Sequence, residues 1–131
     1  MSIGSVALSG LQAASKRLEV SASNTANVSS TAGRDASGAL KNEPYRALRV
    51  EQASLVPAGV RARVSEDPNA TITVFDPSSL VANEEGLVEA PNVSLDQEII
   101  QQNIAGYDFK ANLKVLQAQD ENFKALLDIQ A

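Results

Sequence analysis

Residues 95–129 read LDQEIIQQNIAGYDFKANLKVLQAQDENFKALLDI, and the repeat of their apolar positions decides what this chain can become. Leu95, Ile99, Gln102, Gly106, Phe109, Leu113, Leu116, Asp120, Phe123 and Leu127 alternate steps of four and three over more than four heptads. That spacing keeps one side of a helix turned toward a partner helix. Ile100, Ile104, Tyr107, Ala111, Val115 and Ala118 make a second stripe beside the first. A helix with two apolar stripes needs partners on more than one side. Pro91 halts structure ahead of it, Ser94 supplies an N-cap, and Gln97 three residues on completes a capping box. The pattern predicts a single helix over residues 95–129.

The opposite end of the chain carries the same rhythm in a weaker form. Leu8, Leu11, Ser15, Leu18, Ala22 and Thr25 alternate steps of three and four, with small residues filling half of the seam. After Asn24 and Asn27 comes a run of Ser, Thr, Ala and Gly with hardly any large side chain. Period two then replaces the helical rhythm. VRARVSE at 60–66 sets Val60, Ala62 and Val64 opposite Arg61 and Arg63, TITVF at 71–75 is β-branched, and YRALRVEQ at 45–52 supplies a third strand. Asp67-Pro68-Asn69 and Asp76-Pro77-Ser78-Ser79 are turn signals. The organisation expected is a helix over 1–29, a pliable polar segment over 30–44, a small β insertion over 45–90 and a long helix over 91–131. The fold class is therefore mainly α with a small β insertion, its N- and C-terminal helices paired as a coiled coil around a short hairpin-like middle region.

Composition removes most chemistry. The 131 residues include no His and no Cys, so the usual Ser/His and Cys/His nucleophiles are absent and zinc loses its commonest ligands. No Ser-x-x-Lys occurs, and Gly33 and Gly38 do not belong to a phosphate-cradling motif. A net charge of −5 is the wrong sign for holding nucleic acid through its phosphates. No stretch approaches about 18 apolar residues, the length a membrane span requires. The first twenty residues place Lys16 and Arg17 after the apolar positions, unlike a cleaved signal peptide. Glu66-Asp67 and Glu84-Glu85 could be imagined as a hydrolytic pair. Each sits beside a turn signal, and neighbouring residues on extended chain point apart, so they read as solvated turn charges. The Asn-x-Ser/Thr matches at Asn27, Asn69 and Asn92 are those expected by chance in a chain rich in Asn and Ser. No cofactor and no enzymatic activity are expected.

Two groups of residues carry a resemblance. Ala22-Ser23-Asn24-Thr25-Ala26-Asn27-Val28, a Ser/Thr/Gly stretch and Pro44-Tyr45-Arg46 are similar to the N-terminal signature of bacterial flagellar rod and hook proteins, which typically read Asn-Asn-Leu-Ala-Asn before a Thr/Gly-rich turn. Asp76-Pro77, Gly86, Val88, Pro91-Asn92-Val93, Glu98, Ala105, Phe109, Ala111-Asn112 and Asp128-Ile129 resemble the proximal-rod members of the flagellar basal-body rod family, over nearly the whole chain. Phe109 stands where that family usually has Tyr, and Ser78-Ser79-Leu80-Val81 replaces its His-Pro turn.

The resemblance implies a structural subunit of the basal-body rod in the periplasm. Its terminal helices would pair as a coiled coil, copies of it and other rod proteins would build a helical tube, and the tube would transmit torque to hook and filament. It also implies export through the flagellar type III apparatus without a cleaved signal peptide, with neither nucleic acid nor membrane insertion involved. The assembly interface expected on this view comprises Leu8, Leu11, Leu18, Asn24 and Asn27 from the first helix, and Ile99, Phe109, Asn112, Leu113, Leu116, Phe123 and Leu127 from the last. Asn24 and Asn27 would hold the bend by amide hydrogen bonds or, more simply, cap the helix. Both terminal segments would be largely disordered in an isolated monomer and become helical on assembly. The alternative reading is a cytoplasmic helical adaptor or export chaperone that binds one partner helix.

Overall fold

In the computed structural model residues 2–33, 39 and 42–130 are described, and Ala36-Ser37-Gly38 of the pliable segment lie outside them. In chain order the elements are α1 (Ile3–Asn27), β1 (Ala32–Gly33), β2 (Leu48–Ser54), β3 (Val60–Glu66), β4 (Thr71–Phe75), β5 (Leu87–Pro91) and α2 (Leu95–Gln130). Ser2 caps α1, its Oγ accepting from the Ser5 amide at 3.2 Å. α2 starts where expected, with the Ser94 carbonyl accepting from the Glu98 amide at 3.0 Å. Its 36 residues extend about 54 Å.

The middle of the chain forms two sheets where one insertion was expected. β2 and β3 make an antiparallel hairpin in register from Leu48↔Glu66 to Ser54↔Val60. β1, β5 and β4 make a separate antiparallel sheet in that order. Two of its strands were not anticipated. β1 has only two residues, inside the segment read as pliable, and β5 (LVEAP) contains Glu and Pro, which weaken a strand pattern. The expected turns do form: Asp67 Oδ1 accepts from the Asn69 amide at 2.8 Å, and Asp76 Oδ1 from the Ser78 amide at 3.2 Å. Gly86 closes the β4–β5 connection at φ 74°, and a Cβ there would come 2.9 Å from the Phe75 ring.

α1 is the centre of the molecule, packing on α2 with one side and on the β2–β3 hairpin with another. What it buries is small. Among the described residues the buried apolar side chains are Ala7, Ala13, Ala14, Ala32, Ala47, Ala70 and Ala105 with Val20 and Val88. Alanine lets backbones approach closely but removes little apolar area per residue from water. Among the described residues no helix is long and apolar enough to cross a membrane.

Candidate assembly interface

α1 and α2 run antiparallel, and the contacts along them fix the seam. Gly4 faces Gln119, Gly10 faces Asn112, Arg17 meets Asp108 and Gln101, and Ser21 meets Glu98. Arg17 donates to Asp108 Oδ2 at 2.6 Å and to Gln101 Oε1 at 3.1 Å. Ser21 Oγ donates to the Glu98 carbonyl at 2.9 Å, and Gln102 Nε2 to Thr25 Oγ1 at 3.1 Å. Ala7, Ala14 and Ala105 are buried along the same line.

This seam differs from the expected one in a regular way. On α1 it runs through residues 7, 10, 14, 17, 21 and 24, each one position before the predicted 8, 11, 15, 18, 22 and 25. On α2 it runs through 98, 101, 105, 108, 112 and 119, again about one position early. One residue is about 100° of helix rotation, so the apolar stripes turn out of the chain's own helix pair. The reason is steric: with Gly, Ala and Ser on one face of α1, the helices settle at a closer distance than leucines would allow, and polar side chains of α2 find partners there.

The expected interface residues accordingly lie on the outside of the pair. Leu8, Leu18, Ile99, Phe109, Leu113, Phe123 and Leu127 are exposed, and Leu11 and Leu116 are half-buried. The heptad left open which chain supplies the partner of Phe109, Leu113, Leu116, Phe123 and Leu127, and within this chain they are not enclosed between α1 and α2. Both apolar stripes of α2 flank the seam, one on each side. Beyond Gln119, α2 has passed the start of α1, and residues 120–129 are all exposed over a projection of about 15 Å. Phe123 is 56% and Leu127 66% exposed there.

The three asparagines separate clearly. Asn24 is buried and uses every bonding position of its amide. Oδ1 accepts from the Leu48 amide and the Tyr45 hydroxyl, both at 2.9 Å. Nδ2 donates to the Leu48 carbonyl at 2.8 Å and to Glu98 Oε1 at 2.7 Å. One side chain thus joins α1, the hairpin and α2. Asn27, by contrast, bonds within its helix, Nδ2 donating to the Ser23 carbonyl at 2.8 Å. Asn112 bonds back to the Asp108 carbonyl at 2.8 Å and lies over Gly10, inside the intramolecular seam.

Several positioning residues escaped the sequence reading. Ser9 Oγ accepts from the Val60 amide at 3.1 Å and ties the hairpin's far end to α1. Ser21 and Arg17 join the helices. Their signal was the heptad of small residues at 7, 14 and 21, hidden by the more obvious leucines. Of the acidic pairs, Glu66 makes an ion pair with Arg46, while Glu84 and Glu85 are exposed in the β4–β5 connection.

With this geometry in hand, both helical ends match one kind of protein. The family described as flagella basal body rod protein matches residues 5–33, and the C-terminal family of flagellar basal body rod FlgEFG proteins matches residues 84–129. Similarity also runs along almost the full length. The flagellar basal-body rod protein FlgC of Yersinia enterocolitica is 37% identical over 122 residues, covering 88% of this chain and 87% of the relative. FlgC of Salmonella typhimurium is 36% identical over the same span, and FlgC of Agrobacterium fabrum 31% identical over 130 residues, or 95% of this chain and 90% of the relative. The chain belongs to the FlgC family of flagellar basal-body rod proteins.

Proposed function

We propose that the chain is a structural subunit of the flagellar basal-body rod, assembling with copies of itself and with other rod proteins. The observation that carries this reading is α2: two apolar stripes flank its seam with α1 and remain uncovered, and its last turns project past α1 altogether. Contiguous exposed apolar surface of this extent marks a surface that associates. Neighbouring helices would cover it in coiled-coil fashion, and contacts that repeat without closing build a helical tube.

Kinship with FlgC proteins supports a place in the proximal rod, within the periplasmic part of the basal body, where a stiff tube carries torque outward to hook and filament. Export through the flagellar type III apparatus fits a chain free of disulfides whose core is mostly alanine, since such a chain unfolds at little cost.

Phe123→Asp tests the reading cleanly, because the residue is exposed in the part of α2 that projects beyond α1. A carboxylate forced into an apolar interface costs several kcal/mol, on the order of 2–7 for an unpaired polar group. Cells carrying it should be non-motile and lack rods, while the purified chain keeps its parental circular dichroism. Normal swimming by those cells would falsify the rod assignment.

A further inference from the structure

The β2–β3 hairpin bears positive charge that its own chain leaves unbalanced. Alternation along β3 sends Arg61 and Arg63 to the side opposite Val60 and Ala62. Arg63 lies across from Glu51 in register, but Glu51 Oε1 is taken by Arg49 Nη2 at 2.6 Å and Ser65 Oγ at 3.2 Å. Arg61 and Arg63 are exposed and have no ion-pair partner among the described residues.

The complementary surface is on the other sheet. From Val64 to Phe109 the sequence has nine Asp and Glu and neither Lys nor Arg. Most of the acids nearest the helices are engaged: Glu66 by Arg46, Glu98 by Asn24, Asp108 by Arg17. Glu84 and Glu85 are exposed in the β4–β5 connection; Leu80 in the same connection is 104% exposed, and Phe75 at the end of β4, against which Gly86 packs, 68%. Apolar surface rimmed by like charge is the composition of a docking patch.

These two surfaces cannot meet within one chain. The hairpin is packed on α1, with Val60 anchored to Ser9 in the first half of that helix. The three-stranded sheet lies past the other end of α1, where β1 follows α1 and β5 leads into α2; it meets the base of the hairpin at Ala70, whose carbonyl accepts from the Ala47 and Asn92 amides, and the Glu84–Glu85 turn is at the opposite end of β4 and β5. A basic surface and an acidic surface at different places on one molecule suit a head-to-tail contact, which propagates rather than closes.

We propose that the Arg61–Arg63 face of one copy docks on the Glu84–Glu85 turn of a second copy, giving the β regions a contact of their own besides the helix stripes. The inference rests on the assembly reading above. Charge complementarity of this kind sets register and partner choice more than bulk affinity.

A charge swap decides it. Arg61→Glu with Arg63→Glu, Glu84→Arg with Glu85→Arg, and the chain carrying all four changes are introduced into motile cells. Each double variant should lower rod yield in isolated basal bodies about tenfold, since like charges then face each other. The fourfold variant should recover most of the loss. Normal rods from the double variants overturn the proposal. Defective double variants without recovery also overturn it, because the partner is then a different rod protein. As a second measurement, Arg63→Cys and Glu85→Cys chains are co-expressed and basal bodies oxidised; with no native cysteine, a mixed disulfide dimer reports this contact alone. Its absence from rods that assemble refutes the docking while leaving the rod assignment standing, whereas motile Phe123→Asp cells remove that assignment itself.

Discussion

Asn24 does at the end of α1 what a neighbouring strand would do at the edge of β2. Its amide meets both the N–H and the C=O of Leu48 and has two bonds left for Tyr45 and Glu98. Loss of such a group strands several buried polar atoms at once. Asn24→Ala should therefore cost about 3 kcal/mol in chemical denaturation, and Asn24→Asp should cost at least as much, because a carboxylate cannot donate to the Leu48 carbonyl and would oppose Glu98. Asn27→Ala should cost under about 1 kcal/mol, since its amide serves only the end of its own helix. Equal losses at the two positions would contradict this division. Two asparagines three residues apart are visible in the sequence as a pair. They lie about 60° apart around the helix, and that one is a junction and the other local follows from which of them faces the hairpin, which no local pattern encodes.

At the level of the helices, packing is governed by where a Cβ can fit. A Cβ built on Gly10 would overlap the Asn112 carboxamide, whereas one on Gly106 meets nothing within 4 Å. Gly10→Val should push the helices apart and destabilise the chain by about 1–3 kcal/mol, as overpacking generally does. Gly106→Ala should stabilise it by about 0.5–1 kcal/mol by removing glycine's cost in a helix interior. Thermal unfolding of the two variants checks the opposed signs. Gly106 also belongs to the outward stripe, so a variant that is more stable alone yet impairs motility would show that a neighbour approaches closely there in the rod. The heptad spacing announced that these helices associate. It did not announce that the small residues would win the intramolecular contact, because leucine signals are stronger in a pattern than alanine and glycine, although alanine and glycine allow the tighter approach.

At the scale of the molecule, a core that among the described residues consists of seven alanines and two valines gives little stabilisation from burial, about 0.8 kcal/mol per buried methylene-sized group. The isolated chain should accordingly be marginal, with trypsin cutting after Lys124 in the α2 projection before it cuts after Arg17, whose guanidinium is held by Asp108 and Gln101. Limited proteolysis of dilute protein, followed by mass spectrometry, tests this; a chain resistant at Lys124 would mean that the projection is covered without neighbours. Two terminal helices, the start of α2 after Ser94, the β2, β3 and β4 strands and the two Asx turns were all present in residue order, because periodicity and turn chemistry act over a few neighbouring residues. The split into two sheets, the pairing of the two-residue β1 with β5, the junction at Asn24 and the outward rotation of the apolar stripes depend on contacts between residues far apart in the chain. Each is settled by which surfaces can approach most closely in three dimensions, and a one-residue change in helix facing is enough to turn a predicted core into an exposed face.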